Sequence, residues 1–252
     1  MRTNVLITGA SSGLGAGMAR IFAGNGHSLA LAARRTDRLE ALKAEILAAN
    51  PEVDVRTYAL DVTDHGQVFE VFAAAARDLG GLDRVVVNAG LGKGGRIGSG
   101  RFEANLETAL TNVVAALAQC EAAMEHFYER STGHLVVISS VSAMRGMPGS
   151  MTTYAATKAA VAHLGEGIHS DLLGRGGHDI AVTTVDPGYI ASEMNADVEQ
   201  QPRLMVDTET GCRAIVEAIH SEVAKAVVPE WPWRPISAVL RQAPLPVVRR
   251  LV

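Results

Sequence analysis

Cysteine is scarce in this chain, with only Cys120 and Cys212 among 252 residues. That is too few for a disulfide framework, and neither belongs to a CxxC pair of the kind that holds a metal. The eight histidines show no HxH or HxxxH spacing, so no metal site is expected, and His134 reads as bordering a strand. An excess of one charge is also missing. The 23 Lys plus Arg nearly balance the 27 Asp plus Glu, which leaves no strong field to draw nucleic acid or an anionic membrane. No apolar run reaches the length of a membrane-spanning helix. The opening residues, Met1-Arg2-Thr3-Asn4 before Val5-Leu6-Ile7, lack the apolar stretch of a secretory leader. These absences predict a cytoplasmic protein with small-molecule partners and no nucleic acid.

What is present is a repeated alternation of short aliphatic runs with Ala-rich or amphipathic segments of helical length. Strands are expected at 5–7, 28–32, 55–59, 84–87, 134–138, 180–185 and 226–228, and helices at 13–24, 38–49, 68–79, 102–129, 154–173 and 208–223. Most strands are almost continuously apolar, as strands covered on both faces must be. The prediction is an α/β protein with a doubly wound, seven-stranded parallel sheet flanked by helices, one domain over residues 1–252. The loosest stretches, 91–100 and about 193–207, follow strand ends, where this architecture places its ligands.

The first strand runs into Thr8-Gly9-Ala10-Ser11-Ser12-Gly13-Leu14-Gly15, a glycine-rich turn opening a helix. Such a turn lets backbone N–H groups approach a pyrophosphate at the positive end of the helix. At the end of the second strand a carboxylate would bind a ribose 2′-hydroxyl and repel a 2′-phosphate. Here the strand ends Ala32-Ala33-Arg34-Arg35, and two guanidinium groups suit a 2′-phosphate. The expected cofactor is therefore NADP(H), with Arg34 as the primary contact. The alternative for Arg34 and Arg35 is surface pairing with Asp37 or Glu40.

Tyr154-Ala155-Ala156-Thr157-Lys158 puts a phenol and an ammonium four residues apart, on one helical face. A phenol near pKa ~10 is a poor acid/base at neutral pH, and a neighbouring positive charge is expected to favour the phenolate.

Taken together in order, these segments resemble the short-chain dehydrogenase/reductase family, and the resemblance runs along almost the whole chain. The TGxxxGxG spacing is similar to its cofactor turn, implicating Gly9, Ser11, Ser12, Gly13, Leu14 and Gly15. Leu60-Asp61-Val62 resembles the segment that contacts adenine, with Asp61 and Val62 as cofactor residues. Asn88, Ala89 and Gly90 resemble the motif after the fourth strand, and Pro187-Gly188 with Ile190 and Ser192 the nicotinamide-side turn. The resemblance implies that Tyr154 exchanges a proton with a carbonyl or alcohol oxygen, that Lys158 also binds the nicotinamide ribose, and that hydride moves to or from the cofactor.

It also implies a serine that holds the substrate oxygen and stabilises charge developing there. Ser140 fits that role but precedes Tyr154 by 14 positions, one more than the common pattern, which leaves Ser139 and Ser142 open. Asn112 matches the family's central-helix asparagine and stands 28 positions before Ser140, the expected spacing. Its implied role is a proton relay reaching Lys158. Retention of Asn112, Ser140, Tyr154 and Lys158 together argues against the other class considered, a silent NADP(H)-binding regulatory or scaffold protein.

The substrate is expected to be a small carbonyl or alcohol. Met144, Met147, Met151, Met194 and Met205 suggest an apolar one, although core or lid packing explains each singly. The tail from about 229 to 252 holds both tryptophans, Trp231 and Trp233, and the pair Arg249-Arg250. Its apolar segments are short and broken by Pro244 and Pro246, so it is expected beside the substrate mouth or at a subunit interface rather than as a membrane-surface anchor. The family resemblance implies a homodimer or homotetramer, paired through the helices that carry Asn112 and Tyr154.

Overall fold

The computed structural model describes residues 2–174, 176–193 and 204–251. Most of the segment 193–207, including Met194, lies outside them. Seven parallel strands, β1 (Asn4–Thr8), β2 (Ser28–Ala33), β3 (Val55–Ala59), β4 (Arg84–Val87), β5 (Thr132–Ile138), β6 (Asp179–Pro187) and β7 (Lys225–Val228), form one sheet in the order β3-β2-β1-β4-β5-β6-β7. The expected fold class is the observed one.

Both faces of the sheet are covered, and successive side chains of a strand point to opposite faces. Val5 and Ile7 of β1 pack with α1 (Gly13–Gly24), α2 (Thr36–Ala49) and α7 (Thr208–His220), through Phe22, Leu39 and Ile215 among others. Leu6 faces the other layer, where α3 (His65–Asp78), α5 (Ala115–Arg130) and α6 (Met151–Leu173) contribute Phe72, Phe127 and Val161. This is why the strands read as uninterrupted apolar runs rather than as alternating ones. Two helix starts are written locally: Asp64 accepts a hydrogen bond from the Gln67 amide, and Asp207 from the Thr210 amide.

The expected helix 102–129 is divided. α4 (Phe102–Ala109) meets α5 through a wide π-type turn at Leu110–Val114, and this turn carries Asn112. Such turns are rare and frequently sit at functional sites. The proline-rich tail is helical, as α8 (Glu230–Gln242) and α9 (Leu245–Leu251), which the sequence reading did not anticipate. Leu240, Ala243 and Val248 pack with Met147 and Ala155, with Met144, Met151 and Ile236 alongside. Three of the methionines read as a possible substrate lining therefore belong to a cluster that fastens the tail beside the start of α6. Among the described residues no helix is long and apolar enough to cross a membrane.

At the amino end of the sheet His134 is fully buried within β5, accepting at Nδ1 from Arg84 Nε at 2.8 Å and meeting Thr183 Oγ1 at 2.9 Å through Nε2. Burial holds its pKa well below the ordinary value, so it is a neutral structural histidine.

Candidate active site

The chain order reverses at the carboxyl ends of β1 and β4, which opens a crevice there. The turn after β1 and the segment after β4 line it and brace each other. Asn88 Nδ2 donates to the Thr8 carbonyl oxygen at 2.8 Å, while the Asn88 and Ala89 amides donate to Thr8 Oγ1 at 3.1 and 3.2 Å. Gly9 has φ +66°, and a Cβ there would lie 2.9 Å from Ala89 Cα, so both conformation and space require glycine. At the helix start, Ser12 makes no side-chain cap to α1 and instead accepts from Arg35 Nη2 at 2.6 Å. The first amides of α1 are thus left uncovered by side chains, the arrangement that suits a phosphate.

The two arginines diverge. Arg34 is exposed beside Asp61. Burial acts to raise the Asp61 pKa, but hydrogen bonds from Thr63 and the Arg34 charge outweigh it and hold the carboxylate below its ordinary value. Arg35 turns back onto the glycine-rich turn, with Nε to Ser11 Oγ at 3.2 Å and Nη1 to Glu193 Oε2 at 3.1 Å. Among the described residues neither arginine pairs with Asp37 or Glu40, and Glu40 instead accepts from Thr57.

The nicotinamide-side segment leaves β6 at Pro187. The Gly188 amide bonds to the Val228 carbonyl oxygen at 2.8 Å, and Ile190, buried, bridges to Val206. Ser192 reaches the cofactor turn, where a Cβ on Gly13 would stand 3.5 Å from its own Cβ. Gly188 is backed by the tail: any side chain there would run into the Trp233 indole, which itself meets Tyr189 edge-on with ring centroids 5.0 Å apart. Trp233 is buried, whereas Trp231 is exposed. One tail tryptophan thus supports the site, in line with the expected position beside the mouth.

At the centre, Tyr154 lies one turn inside α6 and its hydroxyl is hydrogen-bonded to Ser140. The three serines separate cleanly. Ser139 is buried and donates to the Lys158 carbonyl oxygen at 2.8 Å. Ser142 donates to Ser140 Oγ at 2.8 Å, so Ser140 links Ser142 to the Tyr154 hydroxyl. Lys158, buried, donates through Nζ to the Ile138 carbonyl oxygen at 2.9 Å and stands 5.9 Å from the Tyr154 ring centre. Asn112 holds the strand-end segment by both faces of its amide, with Oδ1 accepting from the Leu91 amide at 2.7 Å and Nδ2 donating to the Leu91 carbonyl oxygen at 2.9 Å. Nδ2 also donates to Thr157 Oγ1 at 3.0 Å, and Thr157 in turn donates to the Tyr154 carbonyl oxygen at 2.7 Å. A Cβ on Gly90 would sit 3.2 Å from Asn112 Oδ1 and 3.5 Å from Lys158 Nζ, so Gly90 packs against both.

The electrostatics differ from the sequence expectation. Burial pushes the Tyr154 phenol up to about 12, and the Ser140 hydrogen bond only partly offsets it. Burial pushes Lys158 down to about 8, against the opposing pull of Asp186. Desolvation therefore dominates at both groups, and the protein alone keeps Tyr154 neutral, in the form of a proton donor.

Sequence reasoning did not single out Thr157, Asp186 or Glu193, and it placed the tail near the mouth without choosing between Trp231 and Trp233. Thr157 lies inside the motif already singled out, one residue before Lys158. Asp186 directly precedes Pro187, is fully buried, and has Lys225 Nζ at 3.5 Å. Glu193 and Trp233 act through contacts across long stretches of chain, which no local pattern signals.

A family model described as short chain dehydrogenase matches residues 3–203. An uncharacterized oxidoreductase of Mycobacterium tuberculosis is 51% identical over 249 residues, covering 99% of this chain and 97% of the relative. One of Myxococcus xanthus is 39% identical over 194 residues, 76% of this chain and 73% of the relative. Among solved structures, an alcohol dehydrogenase from the archaeon Thermococcus sibiricus complexed with 5-hydroxy-NADP is 25% identical with TM-score 0.78, covering 90% of this chain and 94% of that one. ElxO with NADP bound gives the same identity and TM-score, over 90% and 96%. The glycine-rich turn at the sheet crevice, the Ser140, Tyr154 and Lys158 cluster, and these likenesses converge: the chain belongs to the short-chain dehydrogenase family of oxidoreductases.

Proposed function

We propose that the protein is an NADP(H)-dependent oxidoreductase that interconverts a carbonyl and a secondary alcohol, with Tyr154 giving or taking the proton. The observation that carries this reading is the cluster of Ser142, Ser140 and the Tyr154 hydroxyl, with Lys158 one turn further along α6. The crevice suits a nicotinamide dinucleotide, because the side-chain-free approach at Gly9 and the uncovered amides of α1 form the cradle a pyrophosphate needs. Gly9, Ser11, Ser12, Gly13, Leu14, Gly15, Asp61, Val62, Asn88, Ala89, Gly90, Pro187, Gly188, Ile190 and Ser192 would hold it. The choice of NADP(H) rests on Arg34 and Arg35 at the end of β2 and agrees with the NADP-type ligands of the two solved relatives.

When bound, the nicotinamide supplies the hydride in reduction or accepts it in oxidation. In reduction Tyr154 gives its phenolic proton to the carbonyl oxygen, and in oxidation it takes the alcohol proton back. Ser140 donates to that same oxygen as charge develops on it. Lys158 offsets the phenolate left behind and holds the nicotinamide ribose. Asn112 and Thr157 fix the backbone at Tyr154 and Leu91, so the proton-transfer groups stay in register. Tyr189, close to Tyr154, suits an apolar substrate.

The protein is further read as a cytoplasmic homodimer or homotetramer. Leu106, Leu110, Val114 and Leu117 form an exposed apolar stripe along α4, the π-type turn and α5, a surface that pairing of copies would cover.

The test is NADPH and NADH oxidation across a panel of carbonyl compounds. A higher specificity constant with NADPH, and a Tyr154→Phe enzyme slowed by about 10²- to 10⁴-fold with NADPH affinity nearly unchanged, are the expected results. A clear NADH preference overturns the cofactor, and retained turnover in the variant overturns the mechanism.

A further inference from the structure

We infer that Glu193 is a built-in competitor for the adenosine 2′-phosphate, an internal carboxylate that occupies the guanidinium donors the phosphate would use. The inference rests on the NADP(H) reading and deepens it, by naming a residue that sets how tightly the phosphorylated cofactor is held relative to NAD(H).

Glu193 stands six positions beyond Pro187, on the segment leaving β6, yet its carboxylate crosses the crevice to the start of α2. One oxygen accepts from Arg35 Nη1 at 3.1 Å, and the other from Arg38 Nη1. A carboxylate spread across two guanidinium groups, one oxygen to each, presents the pattern that phosphate oxygens offer to the same donors. The two arginine hydrogen bonds hold Glu193 below the usual carboxylate range, so it is an anion at neutral pH.

Arg35 is the hinge of the argument. Its other nitrogens donate to Ser11 and Ser12, so the guanidinium that meets Glu193 is also seated on the cofactor turn. Arg34 stands next in the chain but lies beside Asp61, so the two cations that hold Glu193 are Arg35 and Arg38. A 2′-phosphate brings about two negative charges at neutral pH. It and Glu193 cannot both take the Arg35 Nη1 and Arg38 Nη1 protons, and like charges sharing one cationic site repel. Phosphate entry therefore requires the Glu193 carboxylate to give up its pairs, whereas a ribose bearing only hydroxyls has no such competition. Glu193 thereby restrains the NADP(H) preference that the arginines create, and it favours release of the phosphorylated cofactor. The pairs are half exposed, with the Glu193 side chain 53% accessible, so the restraint is a moderate one that binding can overcome.

The experiment is calorimetric titration of the full-length protein and its Glu193→Gln variant with two probes that carry no nicotinamide, 2′,5′-ADP and 5′-AMP. The expected result is tighter binding of 2′,5′-ADP to the variant by about 5-fold, the effect of releasing two half-exposed ion pairs. Affinity for 5′-AMP should change by less than about 2-fold. Weaker or unchanged 2′,5′-ADP binding in Glu193→Gln, with wild type still preferring 2′,5′-ADP over 5′-AMP, overturns the competitor role while leaving the NADP(H) reading in place. An equal gain for both probes also overturns it, because the effect is then general charge removal. A wild-type protein that binds the two probes equally defeats the NADP(H) reading itself. An Arg38→Gln variant separates the partners: with one anchor of Glu193 removed, the further gain from Glu193→Gln should shrink.

Discussion

Lys158 should cost the fold stability in exchange for its place beside Tyr154, and the cost has a definite sign and pH window. The side chain is 6% exposed, and its pKa falls from 10.5 to about 8, chiefly through burial. In the unfolded chain the ammonium keeps its ordinary affinity for protons, so below pH 8 folding must bury a charge. At about 1.4 kcal/mol per unit the penalty is about 3 kcal/mol. It is fully present below pH 8, shrinks as pH rises from 8 toward 10.5, and vanishes above that. Lys158→Met keeps the length of the side chain and removes the charge. It also leaves the Ile138 carbonyl oxygen without its 2.9 Å partner, an offset of about 1 kcal/mol. The net expectation is an inactive protein more stable than wild type by about 2 kcal/mol at pH 7, or about 4 to 8 °C in Tm for a domain of this size. Urea denaturation at pH 7 and pH 9.5, without added cofactor, reads this directly. The advantage should be largest at pH 7 and lessen at pH 9.5. A less stable Lys158→Met protein at pH 7, or an advantage that grows with pH, refutes the reasoning.

The serine cluster yields a graded expectation. Ser140→Ala removes the group bonded to the Tyr154 hydroxyl and should cost about 10²- to 10³-fold in kcat, whereas Ser142→Ala removes only the donor to Ser140 and should cost less than about tenfold, both read as steady-state rates. Light scattering of the purified protein should give a dimer or tetramer, and charged substitutions at Leu110 and Leu117 on the exposed stripe should dissociate it; a monodisperse monomer in the wild type removes that reading.

The parts legible without coordinates were those whose signal lies within a short stretch of chain. Aliphatic runs such as 85–87 and 135–138 announced strands covered on both faces, and β4 (Arg84–Val87) and β5 (Thr132–Ile138) are such strands. The turn from Gly9 to Gly15 could be read because positive φ and backbone crowding leave no residue but glycine at Gly9. Tyr154 and Lys158 could be read because helical spacing aligns them and the ordered motifs on either side make the pair specific. By contrast, the wide turn at Leu110–Val114 interrupts what looks like one continuous helix, and it carries Asn112, whose partner Leu91 is 21 positions away. The tail looked irregular because prolines disfavour helix interiors, yet packing of Leu240 and Val248 on Met147 and Ala155 overrides that local preference.

The amino-acid sequence by itself determined the seven-stranded parallel sheet, the glycine-rich turn and the helical pairing of Tyr154 with Lys158, because periodicity and spacing are properties of neighbouring residues. Only the tertiary structure decided what state those groups are in. Burial, which depends on every element packed around α6, drives Tyr154 up and Lys158 down against the mutual attraction their spacing suggests. The meeting of Ser140 with the Tyr154 hydroxyl and the crossing of Glu193 to Arg35 and Arg38 likewise arise between separate segments of the chain. Charge and proton positions answer to desolvation and long-range pairing, and these exist only once the chain has closed on itself.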